Sequence, residues 1–446
     1  MSATAFQGGV HLSYNKGLAR DKPIKKASLP EELIIPLSQH TGAPCEPAVE
    51  VGDRVEAGQK VGDSEAFVSA PVHASLSGTV REIRPRLTFT GDRVESVVID
   101  VDPKQQEREL KPKRVSEKVT EKEIIGALRE AGVVGMGGAA FPTAVKLSPP
   151  DDKPIDSIII NGCECEPYLT CDYRVMLERR EELIGGAKLL LKVLGADKCY
   201  LSIEDNKPEA IKALKEVSDD PRLEVVSVPT KYPQGSEKQL IKTLLNREVP
   251  SGGLPFDVGA LVQNVSTTVA IFEAVYYDKP LMERVVTVTG DNIKEPSNLL
   301  SKVGTPIYHL INECGGLIDK RSKVIMGGPM TGFAQPILQV PIVKGSNGLL
   351  LFSSSMVDED QEFIACMRCG ECVEDCPMRL YPSKISTAYE EGRIEDCEEW
   401  DALDCVECGV CSYVCPSRRP IVYHIKEAKS EIMAIRQKQE QAGEQA

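Results

Sequence analysis

"GVVGMGGAAFPTAVK", residues 132–146, sits between a helical pattern and an apolar run, and its reading decides the architecture. Upstream, "EKEIIGALREAG" (121–132) spaces its apolar residues at helical intervals. Downstream, "DSIIIN" (156–161) is a short continuous apolar run, as in a buried strand. Gly135, Gly137 and Gly138 remove side chains where a backbone must approach a flat or phosphorylated ligand. A glycine-rich turn that exposes N–H groups is an anion site. Pro142 and Thr143 open a short helix, and Lys146 follows about a turn later, so one cation stands near a bound phosphate or ring. A bare structural turn would use the same glycines, so the motif takes its meaning from what surrounds it.

The surroundings alternate. "CYLSIE" (199–204) reads as a second buried strand, and "EELIGGAKLLLKVLG" (181–195) and "PEAIKALKEV" (208–217) read as crossover helices. That βαβ order predicts an open, doubly wound, Rossmann-like sheet. Toward the N-terminus, "EPAVEVGDRVEAGQKVG" (46–62) and "APVHASLSGTVREI" (70–83) give short β-runs broken by Gly-Asp and Ser-Gly turns. They resemble the barrel-sandwich hairpins of biotinyl and lipoyl domains. No lysine stands between Val61 and Pro71, where a carrier lysine would sit, so the expected role is docking or structure. A charged, glycine-free segment, 102–123, reads as a linker. Beyond the doubly wound part, "ERVVTVTG" (283–290), the helix "PIYHLINECGG" (306–316) and "KVIMGGPM" (323–330) form a small α+β module.

The C-terminal part carries the strongest chemistry. "CMRCGECVEDCP" (366–377) recurs as "CVECGVCSYVCP" (405–416), each C-x2-C-x2-C-x3-C-P. Three cysteines on one tight loop hold three corners of a [4Fe–4S] cube, and the cysteine before proline ligates the other cluster. Cys366, Cys369, Cys372 and Cys415 are therefore assigned to one cube, and Cys405, Cys408, Cys411 and Cys376 to the second. Zinc is usually held by pairs of C-x2-C and has no need for a third cysteine and a C-P exit, twice over. The helical period of 377–404 predicts a helical ferredoxin domain, and the charged tail from Tyr423 a fraying helix.

Bulk numbers narrow the class. The chain has 446 residues, enough for three or four domains, and its 41% hydrophobic and 27% charged residues fit an ordinary globular protein. A net charge of -14 argues against nucleic acid as a partner. Neither a signal-peptide pattern nor an apolar run of membrane-spanning length is present. The seven other cysteines lack disulfide-framework spacing, the usage of a reducing compartment. The five histidines form no ligand cluster.

"GMGGAAFPTAVK" together with "NGCECEPYLTCDYR" (161–174) resembles the paired flavin-binding motifs of the NADH-oxidising subunits of respiratory complex I and NAD-linked hydrogenases, and "VQNVSTTVAI" (262–271) resembles their third flavin segment. "GGVHLSYNK" (8–16), "KYPQGSEKQLI" (231–241), "REVPSGGLPFDVGALVQNV" (247–265) and the twin cysteine runs make the likeness closer to the RnfC family, the C subunits of Rnf electron-transport complexes. The resemblance covers nearly the whole chain to about residue 430. It implies a multidomain α/β protein: a barrel-sandwich domain (1–110), a Rossmann-like FMN/NADH-binding domain (116–275), a soluble-ligand-binding β-grasp module (276–350), a helical ferredoxin domain with two [4Fe–4S] clusters (355–430) and a charged tail (431–446).

It also implies cofactors and partners. FMN would be lined by Gly135, Gly137, Gly138, Lys146, Asn161, Glu164, Gln263 and Asn264. Phe141 would stack near NADH, with Glu166 and Glu204 beside the nicotinamide or ribose. Partners would be the iron–sulfur and integral-membrane subunits of the complex, with ferredoxin at the far end, and the chain would lie on the cytoplasmic face of the cell membrane. Two departures change the charge of the site: Met136 replaces an arginine and Cys163 an aspartate of the complex I motifs. NADH delivers two electrons as hydride and a cube accepts one, so the flavin is the expected converter and no general acid or base is required. Two other readings follow from the same residues: a microcompartment cobalamin reductase, or a flavin-less electron-wire or scaffold protein.

Overall fold

A computed structural model describes residues 6–105, 119–357 and 362–444. Most of the charged linker lies outside the described residues. The chain divides into two compact units, one holding 14–227 and 259–357, the other 6–13, 228–258 and 362–444.

In the larger unit, helix α1 (Glu121–Glu130) starts at a capping box: Thr120 accepts from the Glu123 N–H and the Glu123 carboxylate accepts from the Thr120 N–H. Strand β1 (Ser157–Gly162) is followed by α2 (Cys171–Glu178) and α3 (Arg180–Leu194), then β2 (Lys198–Glu204), α4 (Pro208–Val217), β3 (Leu223–Val228), β4 (Ala260–Asn264) and α5 (Val265–Tyr277). The sheet order is β3-β2-β1-β4, with β1 parallel to both β2 and β4. Chain order reverses between β1 and β4, which makes their carboxyl ends a topological switch point. Ile158, Ile159 and Ile160 are fully buried on β1, each contributing up to about 1.5–3 kcal/mol against the exposed state. Burial on both faces is why the run reads as continuous apolar sequence.

The barrel-sandwich part has two sheets. One orders Glu32–Pro36, Arg93–Val101, Gly78–Leu87 and Arg54–Val55; the other orders Glu46–Pro47, Lys60–Asp63 and Val72–His73. Their inner faces share a core that includes Leu33, Val61, Val72 and Val97. The turn at 64–71 presents an exposed Phe67. The β-grasp part is a six-stranded sheet around Glu283–Thr289 and Ser297–Lys302 with the helix Ile307–Glu313 against it. Its edge strand, Ile24–Lys26, comes from the N-terminal region and runs parallel to 298–300. Asn298 fixes it by donating to the Ala19 and Lys22 carbonyls, so this stretch does not belong to the barrel-sandwich.

Lys344 is the most deeply buried cation of this unit. Its Nζ donates to Pro71 O at 2.6 Å and Gly132 O at 2.7 Å, tying the barrel-sandwich to the end of α1. Gly132 has φ +61, and a Cβ there would meet Pro71 O at 2.2 Å, so only glycine fits. Burial pushes the Lys344 ammonium down to about 7, with Arg129 acting in the same direction and Cys45 and Asp63 opposing. Burial and the Lys344 charge likewise hold His40 near 4 and His73 near 3. Between pH 7 and the ordinary lysine value of 10.5, the unfolded chain binds a proton that the folded chain does not. The burial penalty on the ammonium is therefore present below pH 7 and relieved as pH rises, at up to ~1.4 kcal/mol per pH unit. Melting curves of wild type and Lys344→Met from pH 6.5 to 9 are expected to diverge in the wild type's favour. A difference that stays constant with pH would contradict this.

The smaller unit is helical in its described C-terminal part. Its helices are Glu371–Glu374, Pro382–Glu390, Ile394–Glu399, Val410–Tyr413 and α6 (Ile421–Glu444). Ile385, Cys397, Ile421, Ile425 and Ile432 fill the core, so α6 is core helix past residue 430 and not a fraying tail at that point. Residues 228–258 pack here and not with the doubly wound sheet whose strands flank them. Tyr232 is buried, with its hydroxyl donating to Cys408 O at 2.7 Å, and Gln239 Nε2 donates to Pro377 O at 3.2 Å. Gly9 N–H donates to Asp375 O at 2.7 Å, and a Cβ on Gly8 would meet Cys376 O at 2.6 Å. By contact, residues 6–13 and 228–258, which fall within the expected bounds 1–110 and 116–275, group with this unit and cover the cysteine loops.

Candidate functional site

The glycine loop closes on itself. Gly135 N–H donates to Phe141 O at 2.9 Å, and Val134 bridges Pro142. A Cβ on Gly137 would lie 3.3 Å from Asn264 Cβ, while Gly138, at φ +142, faces open space. The loop therefore lies beside the carboxyl end of β4, where Asn264 pairs in register with Asn161 of β1 and Gln263 with Ile160. Gly137, Asn161, Gln263 and Asn264 come together at the switch point, the crevice where doubly wound sheets take their ligands. Thr41 of the barrel-sandwich reaches the same loop, its hydroxyl donating to Ala139 O at 2.8 Å.

Other site candidates are engaged as supports. Asn264 is the N-cap of α5: its Oδ1 accepts from Ser266 and Thr267 N–H, and its Nδ2 donates to Asp172 at 2.7 Å. Asn161 Oδ1 accepts from Cys163 N–H at 3.0 Å. Glu164 Oε1 accepts from Asp172 N–H at 2.8 Å, and Lys16 Nζ stands 3.5 Å from Oε2. Glu166 accepts from Met330 N–H at 3.1 Å and Thr331 Oγ1 at 2.5 Å, which ties it to the β-grasp turn. Glu204 is fully buried and paired with Lys207 at 2.5 Å. Phe141 is half-buried, and Lys146 ends the short helix Thr143–Lys146 directly after the loop. Burial pushes Glu164 and Glu166 up and Lys16 down; Lys16 and Glu164 each counter the other's shift. Cys163 and Cys171 are buried thiols held well above their ordinary range by desolvation, so they are neutral fillers.

Lys16 carries no mark of a site residue in the sequence. Its ammonium donates to the carbonyls of Glu164 (2.7 Å), Glu166 (3.0 Å) and Leu169 (2.6 Å), and so shapes the loop after β1. The only sequence signal is its place at the end of "GGVHLSYNK". Two buried polar atoms, Thr143 Oγ1 directly after the loop and Gln263 Nε2 on β4, have no hydrogen-bond partner. Buried polar groups normally find partners. A planar ligand with ring carbonyls and N–H groups supplies them, so the residues fit a flavin.

The twin cysteine loops share one backbone. Arg368, Gly370 and Arg379 in the first, and Glu407, Gly409 and Arg418 at equivalent places in the second, all take positive φ. Burial pushes the Cys405 thiol up to about 11 and Cys408 to about 12. Cys408 feels Cys405 and Cys376, Cys411 feels those three and also Cys372, and Cys372 feels Cys369 and Cys415. Cys376 stands with the second loop, where a cavity lies among Cys376, Cys405, Cys408 and Cys411. Leu380 N–H donates to Cys376 Sγ at 3.4 Å and Glu407 N–H to Cys405 Sγ at 3.3 Å, contacts that favour thiolates. Among the described residues no three His, Cys, Asp or Glu side chains converge as one metal ion needs. A cubane instead takes four thiolates spread over its corners, and this donor set fits it.

Comparisons with known proteins bear on the same regions. Family models match as the RnfC barrel sandwich hybrid domain at residues 4–104, the Nuo51 FMN-binding domain at 128–273 and the SLBB domain at 285–334. The C subunit of a proton-translocating ferredoxin:NAD(+) oxidoreductase complex from Clostridium ljungdahlii is 47% identical over 96% of this chain and 94% of its own length. The C subunit of a Na(+)-translocating complex of that kind from Acetobacterium woodii is 44% identical over 97% and 98%. The C subunit of an ion-translocating oxidoreductase complex from Vibrio cholerae is 41% identical over 96% of this chain, which spans 56% of that longer relative. An NAD+-reducing [NiFe]-hydrogenase in its H2-reduced state shares the fold over 69% of this chain and 62% of its own, at TM-score 0.51 and 19% identity.

Proposed function

The chain belongs to the RnfC family, the C subunits of ion-translocating ferredoxin:NAD(+) oxidoreductase (Rnf) complexes, and is an oxidoreductase component with an FMN-binding domain; we propose that it is the point where the complex exchanges electrons with NAD(H). Gly137 lets the loop pack against Asn264 at the carboxyl end of β4, Gly138 faces open space, and Gln263 and Thr143 offer buried hydrogen-bonding atoms to a flavin. Asn264 and Lys16 hold the walls, and Phe141 is the face offered to the nicotinamide. Bound FMN accepts a hydride and returns electrons one at a time, chemistry that belongs to the cofactor. Cys366, Cys369, Cys372 and Cys415, and Cys405, Cys408, Cys411 and Cys376, hold two [4Fe–4S] clusters that carry single electrons onward. The exchange is reversible and leads through the iron–sulfur and membrane subunits toward ferredoxin. Among the described residues no helix is long and apolar enough to cross a membrane, so the chain would attach to the cytoplasmic face of the membrane through its partners.

The observation that carries this reading is the glycine loop lying against the switch point, with unsatisfied buried polar atoms on Thr143, which follows the loop, and on Gln263 of β4. Protein purified and reconstituted without oxygen is expected to hold one FMN and about eight iron atoms, and NADH is expected to bleach its flavin absorbance. Iron without flavin, and no spectral response to NADH, would leave only the scaffold reading.

A further inference from the structure

Directly behind the glycine loop lies a cation that none of the site motifs contains. Arg284, on the β-grasp strand Glu283–Thr289, is 2% exposed. Its hydrogen-bond partners are all neutral: Nε donates to Ser346 O at 2.8 Å, and the two Nη atoms donate to Met136 Sδ at 2.6 Å and Met136 O at 3.5 Å. Among the described residues it has no ion pair with a carboxylate. The acid whose charge reaches it, Asp172, already accepts from Asn264 Nδ2 and Ser266 Oγ. The neighbouring ion-pair chain of Glu182, Arg179, Glu273, Lys279, Glu283 and Lys302 does not include it. A guanidinium out of water without an ion-pair partner is disfavoured by several kcal/mol, so an anion brought to the loop gains from it. Met136 stands where an arginine would put a cation on the loop itself, and Arg284 returns that charge from another module.

We infer that Arg284 is a positioning and electrostatic residue that supplies, through the loop 135–138, a positive charge to the anionic part of flavin mononucleotide. The inference rests on the flavin reading above and adds the β-grasp module as a contributor to that site. The anionic part is either the phosphate or the ring system in its reduced, negatively charged form. A cation near the phosphate raises FMN affinity over riboflavin in both redox states. A cation near the ring stabilises the reduced form and raises the midpoint potential.

The test uses the full chain with Arg284→Met, Arg284→Lys and wild type, and FMN and riboflavin as probes. Affinity is read by flavin-fluorescence titration, potential by spectroelectrochemistry and fold by circular dichroism. Arg284→Met is expected to lose about tenfold of the preference for FMN over riboflavin, or to favour the reduced form tenfold less, which for a two-electron couple lowers the potential by about 30 mV. Arg284→Lys is expected to keep most of either effect. Wild-type-like preference and potential in a folded Arg284→Met protein would overturn the inference, as would an Arg284→Lys protein as impaired as Arg284→Met, since bracing of Met136 would then be the whole role. If wild type binds neither flavin, the underlying flavin reading fails instead.

Discussion

Cys376→Ser is expected to halve the iron of the reconstituted protein, from about eight atoms to about four per chain. The informative step is what a second substitution does. Cys376 follows the first loop in sequence, yet its charge reaches Cys405, Cys408 and Cys411. If it serves the second loop's cube, Cys376→Ser combined with Cys405→Ser removes one cluster only and leaves about four iron atoms. Cys376→Ser combined with Cys366→Ser then removes both. Ligation confined to each run reverses the two outcomes, so iron analysis and the electron paramagnetic resonance of the reduced proteins decide between them.

Lys16→Met is expected to cause a large loss of stability in the flavin-type domain. The ammonium serves three carbonyls and the buried carboxylate of Glu164. Removing one partner of a buried pair costs about 3–5 kcal/mol, because the other charge stays buried without compensation. The melting temperature of the larger unit is expected to fall by more than about 5 °C, with loss of bound flavin and retention of iron. Adding Glu164→Gln should recover part of the loss, since no orphaned carboxylate then remains. A melting point within a degree of wild type would show that the Lys16 contacts are dispensable.

What the chain discloses before folding follows from range. Strands β1 and β2 were legible because burial on both faces leaves a run such as "SIII" with no charged residue, and the cysteine loops because each run of four cysteines spans a few residues of chain. The supports were not legible. Lys16 and Glu164 are 148 residues apart, as are Met136 and Arg284, and no local pattern marks such pairs. Asn264 carried two signals at once. The motif marks it for the flavin, while its position before an apolar helical run is that of an N-cap, and the hydrogen bonds to Ser266 and Thr267 N–H show the second. "KYPQGSEKQLI" carried the resemblance but not its allegiance: the amphipathic face of the helix Glu237–Leu245 does not name the core it will enter.

That allegiance has a consequence for how such proteins can be rebuilt. Residues 228–258 are translated between two strands of one sheet, yet Tyr232 and Gln239 complete a module whose cysteine loops emerge from the ribosome much later. The cysteine-rich module is consequently no cassette. A graft beginning at residue 362 would arrive with Cys376 and Cys408 stripped of their cover, and recombination between relatives would have to exchange three separated stretches together.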